Sequence, residues 1–308
     1  MKKKVSIIGA GNVGATTAQF VVQSGLADVV LFDVVKGMPQ GKALDMAEAC
    51  PLWNSSSSIR GTNDYSDTSG SDIVVVTAGL ARKPGMSRSD LLHANADIIR
   101  AVCSEIAKTS PHAILIIVTN PMDIMAQLAW KTTEFSSKYV MGMGGVLDAA
   151  RLAAFLSWEL NVSPEDIEAI VLGGHGDDMV PLPRFTTVKG IPLTELLSKK
   201  KIESLIERTR NGGAEIVALL KAGSAYYAPA ASTFQMVKSV LLDEKRMLPC
   251  AAYLNGEYGT RDIYMGVPAV LGKEGVEKIV EVKLTKEEKA RFRKSTASAK
   301  KLIEKLQI

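Results

Sequence analysis

Along roughly the first 140 positions, short unbroken apolar runs alternate with longer segments whose apolar residues recur at helical spacing. The runs at 5–8, 29–32, 72–79 and 113–118 are rich in valine and isoleucine. Such runs predict strands buried on both faces of a parallel sheet. Parallel strands need crossovers, and residues 15–22, 38–49 and 90–108 supply the helical pattern for them. The second of these helices should end at Cys50-Pro51, because proline cannot continue it. The alternation predicts an α/β protein with a doubly wound parallel sheet, whose ligands sit beyond the carboxyl ends of the strands. Residues 54–58 read as a polar loop.

The second half is patterned differently. Helices are expected at 147–160, 200–220, 230–242 and 285–306, and strands at 167–172, 249–254 and 269–271, which makes this a mixed α+β unit. Gly142, Gly144 and Gly145 cluster where the pattern changes. The expected organisation is therefore two domains, residues 1–143 and residues 144–308. Neither internal repeats nor a long linker is apparent.

The earliest candidate chemistry lies where the first run meets Gly9-Ala10-Gly11-Asn12-Val13-Gly14. Glycines spaced in this way permit a tight turn, close approach of a pyrophosphate to the backbone, and close packing of helix on strand. The unpaired N–H groups of the helix N-terminus and its dipole favour an anion there. Asp33 follows nineteen residues after Gly14, at the tip of the second strand. A carboxylate at that point can accept from both hydroxyls of an adenosine ribose and repels a 2′-phosphate, so NAD is favoured over NADP. The glycines alone also suit a βαβ unit that binds nothing; the flanking strands and Asp33 favour the nucleotide site.

Bulk properties narrow the alternatives. The 308 residues are long enough to bury a sizeable core. Their 46% hydrophobic and 23% charged content is that of an ordinary soluble globular protein. A net charge of +4, with no dense basic tract, does not call for nucleic acid. Glycine interrupts the apolar run after Lys2-Lys3-Lys4 too early for a signal peptide, and no window is long enough to span a membrane. Cys50, Cys103 and Cys250 have no metal-type spacing, so neither disulfides nor zinc are expected, and a cytoplasmic location fits.

Of the three histidines, His93 sits in a helix and His112 in a turn, whereas His175 lies between glycines, an arrangement that suits an imidazole presented to a pocket. A histidine capping a surface turn is the plainer alternative. Asp148 and Arg151, three apart on a helix, share a face, and most such pairs are simple surface ion pairs. Arg82 and Arg88 bracket a loop containing Pro84 and Gly85, which is either a solvated basic loop or a lid that clamps an anion.

Taken together, the glycine turn, Asp33, Arg82-Lys83-Pro84-Gly85-Met86-Ser87-Arg88, Val118-Thr119-Asn120-Pro121, Leu147-Asp148-Ala149-Ala150-Arg151 and Gly174-His175-Gly176 closely resemble the lactate/malate dehydrogenase family, in order and spacing over nearly the whole chain. Within it they look most like the malate dehydrogenases of the lactate-dehydrogenase-like group. The resemblance implies a Rossmann N-terminal domain, NAD as cofactor, a small dicarboxylate substrate, and a homodimer or homotetramer. It implies that His175 exchanges the proton, oriented by Asp148, that Arg151 grips the substrate C1 carboxylate, and that Arg88 polarises the reacting carbonyl. Asn120 would hydrogen-bond the substrate oxygen, and Asn95, Val118 and Thr119 would join the glycine turn and Asp33 around the cofactor. Arg82 matches the position that is arginine in malate dehydrogenases and commonly glutamine in lactate dehydrogenases. The alternatives are a lactate or other 2-hydroxy acid dehydrogenase, a metal-dependent NAD glycosidase, which would need a cysteine near His175, and a non-catalytic NAD sensor.

Overall fold

In the computed structural model, which describes residues 2–80 and 88–307 with the side chain of Arg88 excepted, the first half alternates strand and helix. Strand β1 (Lys3–Ile8), α1 (Asn12–Gln23), β2 (Ala27–Phe32), α2 (Met38–Ala49), β3 (Ile59–Thr62), β4 (Ile73–Val76), α3 (Arg88–Thr109), β5 (Ile114–Ile117), α4 (Met122–Thr133) and β6 (Val140–Gly142) follow in order. The strands lie side by side as β3-β2-β1-β4-β5-β6, all parallel. The order reverses between β1 and β4, and at such a reversal a crevice opens beyond the strand ends.

The chain continues through α5 (Gly145–Leu160), β7 (Ile167–Glu168), β8 (Val171–Gly173), β9 (Met179–Pro181), β10 (Thr187–Val188), β11 (Ile191–Pro192), α6 (Leu193–Leu196), α7 (Lys199–Leu220) and α8 (Tyr227–Leu241). A long hairpin, β12 (Arg246–Asn255) and β13 (Arg261–Gly272), then leads to β14 (Gly275–Ile279) and the terminal α9 (Lys286–Lys305). A capping box starts α9: Thr285 accepts from the N–H of Glu288, whose carboxylate accepts from the N–H of Thr285. The parallel sheet passes into the second half through antiparallel pairing of Gly142 with Ala251, so one sheet runs from β3 to β9.

The central strands are apolar and buried along their length: Ile73–Val76 and Ile114–Ile117 are each at most 5% exposed. That is the reason the runs read as strands. A second, smaller core joins Leu152 and Leu156 of α5 to Ile202, Leu205 and Ile206 of α7. This packing sets α5 beside α7, and both helices reach the crevice.

Two expectations change in detail, and two elements are unanticipated. The strand expected at 167–172 is two, β7 and β8, which belong to different sheets with Ala169 and Ile170 between them. The hairpin strands are much longer than 249–254 and 269–271. Strand β3 and helix α4 fall outside the segments expected from the apolar pattern.

Candidate active site

The turn after β1 brings its six residues to the crevice. Gly9 sits at φ +109°, and a side chain on Gly14 would lie 1.8 Å from the carbonyl oxygen of Gly9, so only glycine lets α1 start this close to the strand. By contrast, a Cβ on Gly11 would meet nothing within 4 Å. Gly11 is the N-cap of α1 without a side-chain cap, and no acidic residue occupies the first turn. Exposed Gly11 and Asn12 therefore stand at a helix N-terminus free to receive an anion. Asp33, directly after β2, accepts from the N–H of Ala10 (2.7 Å) and of Val35 (3.0 Å), which ties the strand tip to the glycine turn. Lys42 of α2 donates to the carbonyl of Ala10 at 2.7 Å.

From this turn a cleft of about 530 Å³ runs across the strand ends, lined by Val13, Val118, Thr119 and Asn120 and reaching Arg151 and His175. Thr119 is buried and donates to the carbonyl of Ala78 at 2.6 Å. Asn95, 1% exposed, spends its amide on the protein itself: it accepts from Leu80 N–H at 2.7 Å and donates to the carbonyls of Leu80 and Asn120. It thereby joins the end of β4 to the cis Asn120-Pro121 peptide after β5. Ser224, Ala225 and Pro229 form part of the opposite wall, with Arg210 and Gly213 of α7.

His175 follows β8 in a turn in which Gly176 has φ +107°. A Cβ on Gly144 would press within 3.0 Å of the His175 Cβ, so the glycine cluster before α5 makes room for the imidazole. Asp148, in the first turn of α5, places Oδ2 2.9 Å from His175 Nδ1. An ionised carboxylate only accepts, so Nδ1 carries the hydrogen and Nε2 is left free. The side chains are 3% and 14% exposed respectively. Burial alone would lower the His175 pKa, but the charge and hydrogen bond of Asp148, helped by the charge of Asp123, outweigh it and the net direction is upward.

Arg151, one turn further along α5, lies 3.8 Å from Asp148 Oδ1 through Nη1 and is only 15% exposed. Its guanidinium lies against Gly212 and Gly213 of α7. Its Nε–H is buried and has no partner among the described residues. What reads in sequence as a surface ion pair is a buried triad of imidazole, carboxylate and guanidinium. Arg82 lies outside the described residues, as does the side chain of Arg88. One carboxylate is absent from the candidate residues drawn from sequence: Asp123, in the first turn of α4, accepts from the N–H of His175 at 2.8 Å. Its only signal in sequence is its place just after Asn120-Pro121.

Comparison with known proteins matches residues 3–142 to the model of the lactate/malate dehydrogenase NAD binding domain, and residues 145–307 to that of the family's alpha/beta C-terminal domain. The chain is 54% identical to a malate dehydrogenase of Roseiflexus sp. (strain RS-1), covering 98% of each chain. It is 58% identical to one of Synechocystis sp. (strain ATCC 27184 / PCC 6803 / Kazusa), over 93% of this chain and 89% of that one. Among solved structures it is similar to the apo malate dehydrogenase of Picrophilus torridus, with a TM-score of 0.96, 47% identity, and coverage of 98% of this chain and 97% of that one. It is also similar to a lactate dehydrogenase of Cryptosporidium parvum complexed with lactic acid and NAD, with a TM-score of 0.97, 39% identity, and coverage of 100% and 98%.

Proposed function

The chain belongs to the lactate/malate dehydrogenase family, and on that premise we propose that its cleft carries the reversible, NAD-dependent oxidation of malate to oxaloacetate. The observation that carries this reading is the buried His175–Asp148 pair, with Arg151 on the same helix as Asp148, in a cleft continuous with the open N-terminus of α1.

NAD supplies the hydride acceptor in one direction and NADH the donor in the other. The residues present suit it: the uncapped N-terminus of α1, the space beside Gly11 and the cleft along Val118, Thr119 and Asn120 would hold it. Arg151 takes the C1 carboxylate through its forked donors. Asn120 orients the substrate oxygen, and Asn95 fixes Asn120 through its main chain. Neutral His175 accepts the hydroxyl proton of malate at Nε2 as hydride leaves carbon, and Asp148 stabilises the imidazolium that forms. In the reverse direction the imidazolium returns the proton to the carbonyl oxygen.

Malate is distinguished from lactate by a second carboxylate, and the reading gives that group to Arg82, with Arg88 at the reacting carbonyl; both roles rest on the family resemblance. A desolvated carboxylate without a partner is strongly disfavoured, while a guanidinium at contact distance favours it by about 4 kcal/mol at an effective dielectric near 20. A preference of about a hundredfold to a thousandfold follows. The two-domain division at 143/144 is part of the same proposal. So is assembly as a homodimer or homotetramer, supported by exposed Leu44, Leu52 and Trp158 on or just after α2 and α5. Among the described residues no helix is long and apolar enough to cross a membrane. The three cysteines are free and buried, which supports a cytoplasmic location.

The test is NADH oxidation, followed by absorbance, with oxaloacetate, pyruvate and 2-oxoglutarate offered in turn and NADPH as the alternative cofactor. Oxaloacetate with NADH is expected to give the highest kcat/KM. Comparable turnover of pyruvate, or preference for NADPH, would overturn the assignment.

A further inference from the structure

One carboxylate that holds the main chain of His175 is not used by the proton exchange described above. Asp123 is 7% exposed, at the start of α4. Its Oδ2 accepts the main-chain N–H of His175 at 2.8 Å, and its Oδ1 is buried with no hydrogen-bond partner among the described residues. The next residue back is held from α9: Gly174 N–H donates to Ser295 Oγ at 2.8 Å, and Ser295 is itself 1% exposed. A Cβ on Gly174 would stand 3.5 Å from Asp123 Oδ2 and 3.4 Å from Ser295 Oγ, so helix side chains close on this turn from behind.

A main-chain N–H can be satisfied by any neutral acceptor, as Ser295 satisfies that of Gly174. An aspartate in that place carries a desolvation cost that serine or asparagine would not, and a half-used buried carboxylate is the expensive form of it. Resting on the dehydrogenase reading, we propose that Asp123 is a positioning residue for the proton exchange: it clamps the His175 main chain and places a second negative charge near the imidazole that Asp148 faces at Nδ1. Among the described residues, the charged groups around His175 are Asp148 and Arg151 from α5, Asp123 from α4 and Arg210 from α7 across the cleft, with Asp177 and Asp178 following in the turn itself. Burial pushes the Asp123 carboxyl up to about 6, opposed by the hydrogen bond and charge of His175 and supported by the charge of Asp148. The two groups titrate as a pair: protonation of His175 favours ionised Asp123, and ionised Asp123 favours the imidazolium.

The experiment compares the wild-type holoenzyme with Asp123→Asn and Asp123→Ala in malate oxidation across pH, with NADH binding and thermal melts as checks of folding. Asparagine keeps an acceptor for the His175 N–H and removes the charge. It is expected to move the acid limb of kcat downward by about one unit and to lower the plateau about threefold to tenfold. Alanine removes the clamp as well, and should lower the plateau a further tenfold or so. An Asp123→Asn profile superimposable on that of the wild type would overturn the proposal. Absence of malate turnover by the wild type would instead overturn the reading on which it rests. A measurement on the unmutated protein covers the case of a variant that does not fold: the Asp123 carboxyl carbon resonance should respond to ionisation of His175, and a carboxyl resonance indifferent to it would equally overturn the proposal.

Discussion

Replacing Asp148 by asparagine alters the site at the point where its geometry is tightest. Asp148 Oδ2 lies 2.9 Å from His175 Nδ1, and the two side chains are 3% and 14% exposed, so solvent screens the pair little. With charge centres roughly 4 Å apart, an effective dielectric near 20 sets a ceiling of about 4 kcal/mol for carboxylate and imidazolium. Arg151 Nη1, 3.8 Å from the other oxygen, already takes part of that charge, which brings the share available to His175 to about 2 kcal/mol. Two kilocalories correspond to about 1.5 pK units and a thirtyfold change in rate. The sign follows from the roles. The neighbouring carboxylates hold the His175 pKa above its ordinary value. Removing one lowers it, so both the acid limb of malate oxidation, which needs neutral imidazole, and the alkaline limb of oxaloacetate reduction, which needs imidazolium, move to lower pH. Pre-steady-state and steady-state NADH absorbance across pH would read this. We expect kcat for malate oxidation to fall at least thirtyfold, and more where the asparagine amide misorients the ring, with NADH affinity unchanged. A kcat within threefold of wild type, or limbs that stay in place, would show that Asp148 does not stabilise the imidazolium.

Three further outcomes follow from the same structure. Arg151→Lys keeps the charge but loses the fork, so KM for malate should rise by about tenfold to a hundredfold while the dissociation constant for NADH stays put; an unchanged KM would move the C1 carboxylate elsewhere. Arg82→Gln should cut kcat/KM for oxaloacetate by about a hundredfold to a thousandfold and raise pyruvate relative to it; unchanged oxaloacetate kinetics would remove Arg82 from substrate choice. Asp123→Asn should stabilise the fold at neutral and alkaline pH. The folded carboxyl is raised from 3.8 to about 6, so its favourable neutral form is complete below the unfolded value and is lost as pH rises through about 6. The resulting wild-type penalty at pH 8 is at most about 3 kcal/mol. The difference in Tm between variant and wild type should therefore shrink between about pH 7 and pH 4, and a constant difference would contradict it.

Much of this molecule is legible in its sequence for identifiable reasons. Strands β1, β2, β4 and β5 are buried on both faces, so they appear as continuous apolar runs, and the glycine turn is local in sequence. Helix α4 escapes pattern reading because it is buried all round: every residue from Met122 to Ala129 is inside, and such a helix has no polar face to mark its period. Strand β3 is broken by Arg60 and Gly61; a Cβ on Gly61 would lie 2.1 Å from the carbonyl oxygen of Pro39, so close packing there excludes the residues that would signal a strand. In β13, Gly266 interrupts the apolar pattern for a similar reason, passing 2.3 Å by the same measure from the carbonyl oxygen of Gly173. The site divides in the same way. Asp148 and Arg151 share a helix face and can be paired from spacing, but their burial cannot, since it depends on α7 closing over α5. Asp123 reaches His175 across fifty-two residues, and no local pattern announces a contact made by the fold alone.

The malate assignment is tested most directly by a structure of the complex with NADH and a non-reactive dicarboxylate analogue of oxaloacetate. The expected complex has the C1 carboxylate in the fork of Arg151, the carbonyl-like oxygen about 2.6–3.2 Å from Nε2 of His175, and the far carboxylate paired with Arg82. An analogue bound with its carbonyl-like oxygen away from His175, or with its far carboxylate unpaired in water, would contradict it.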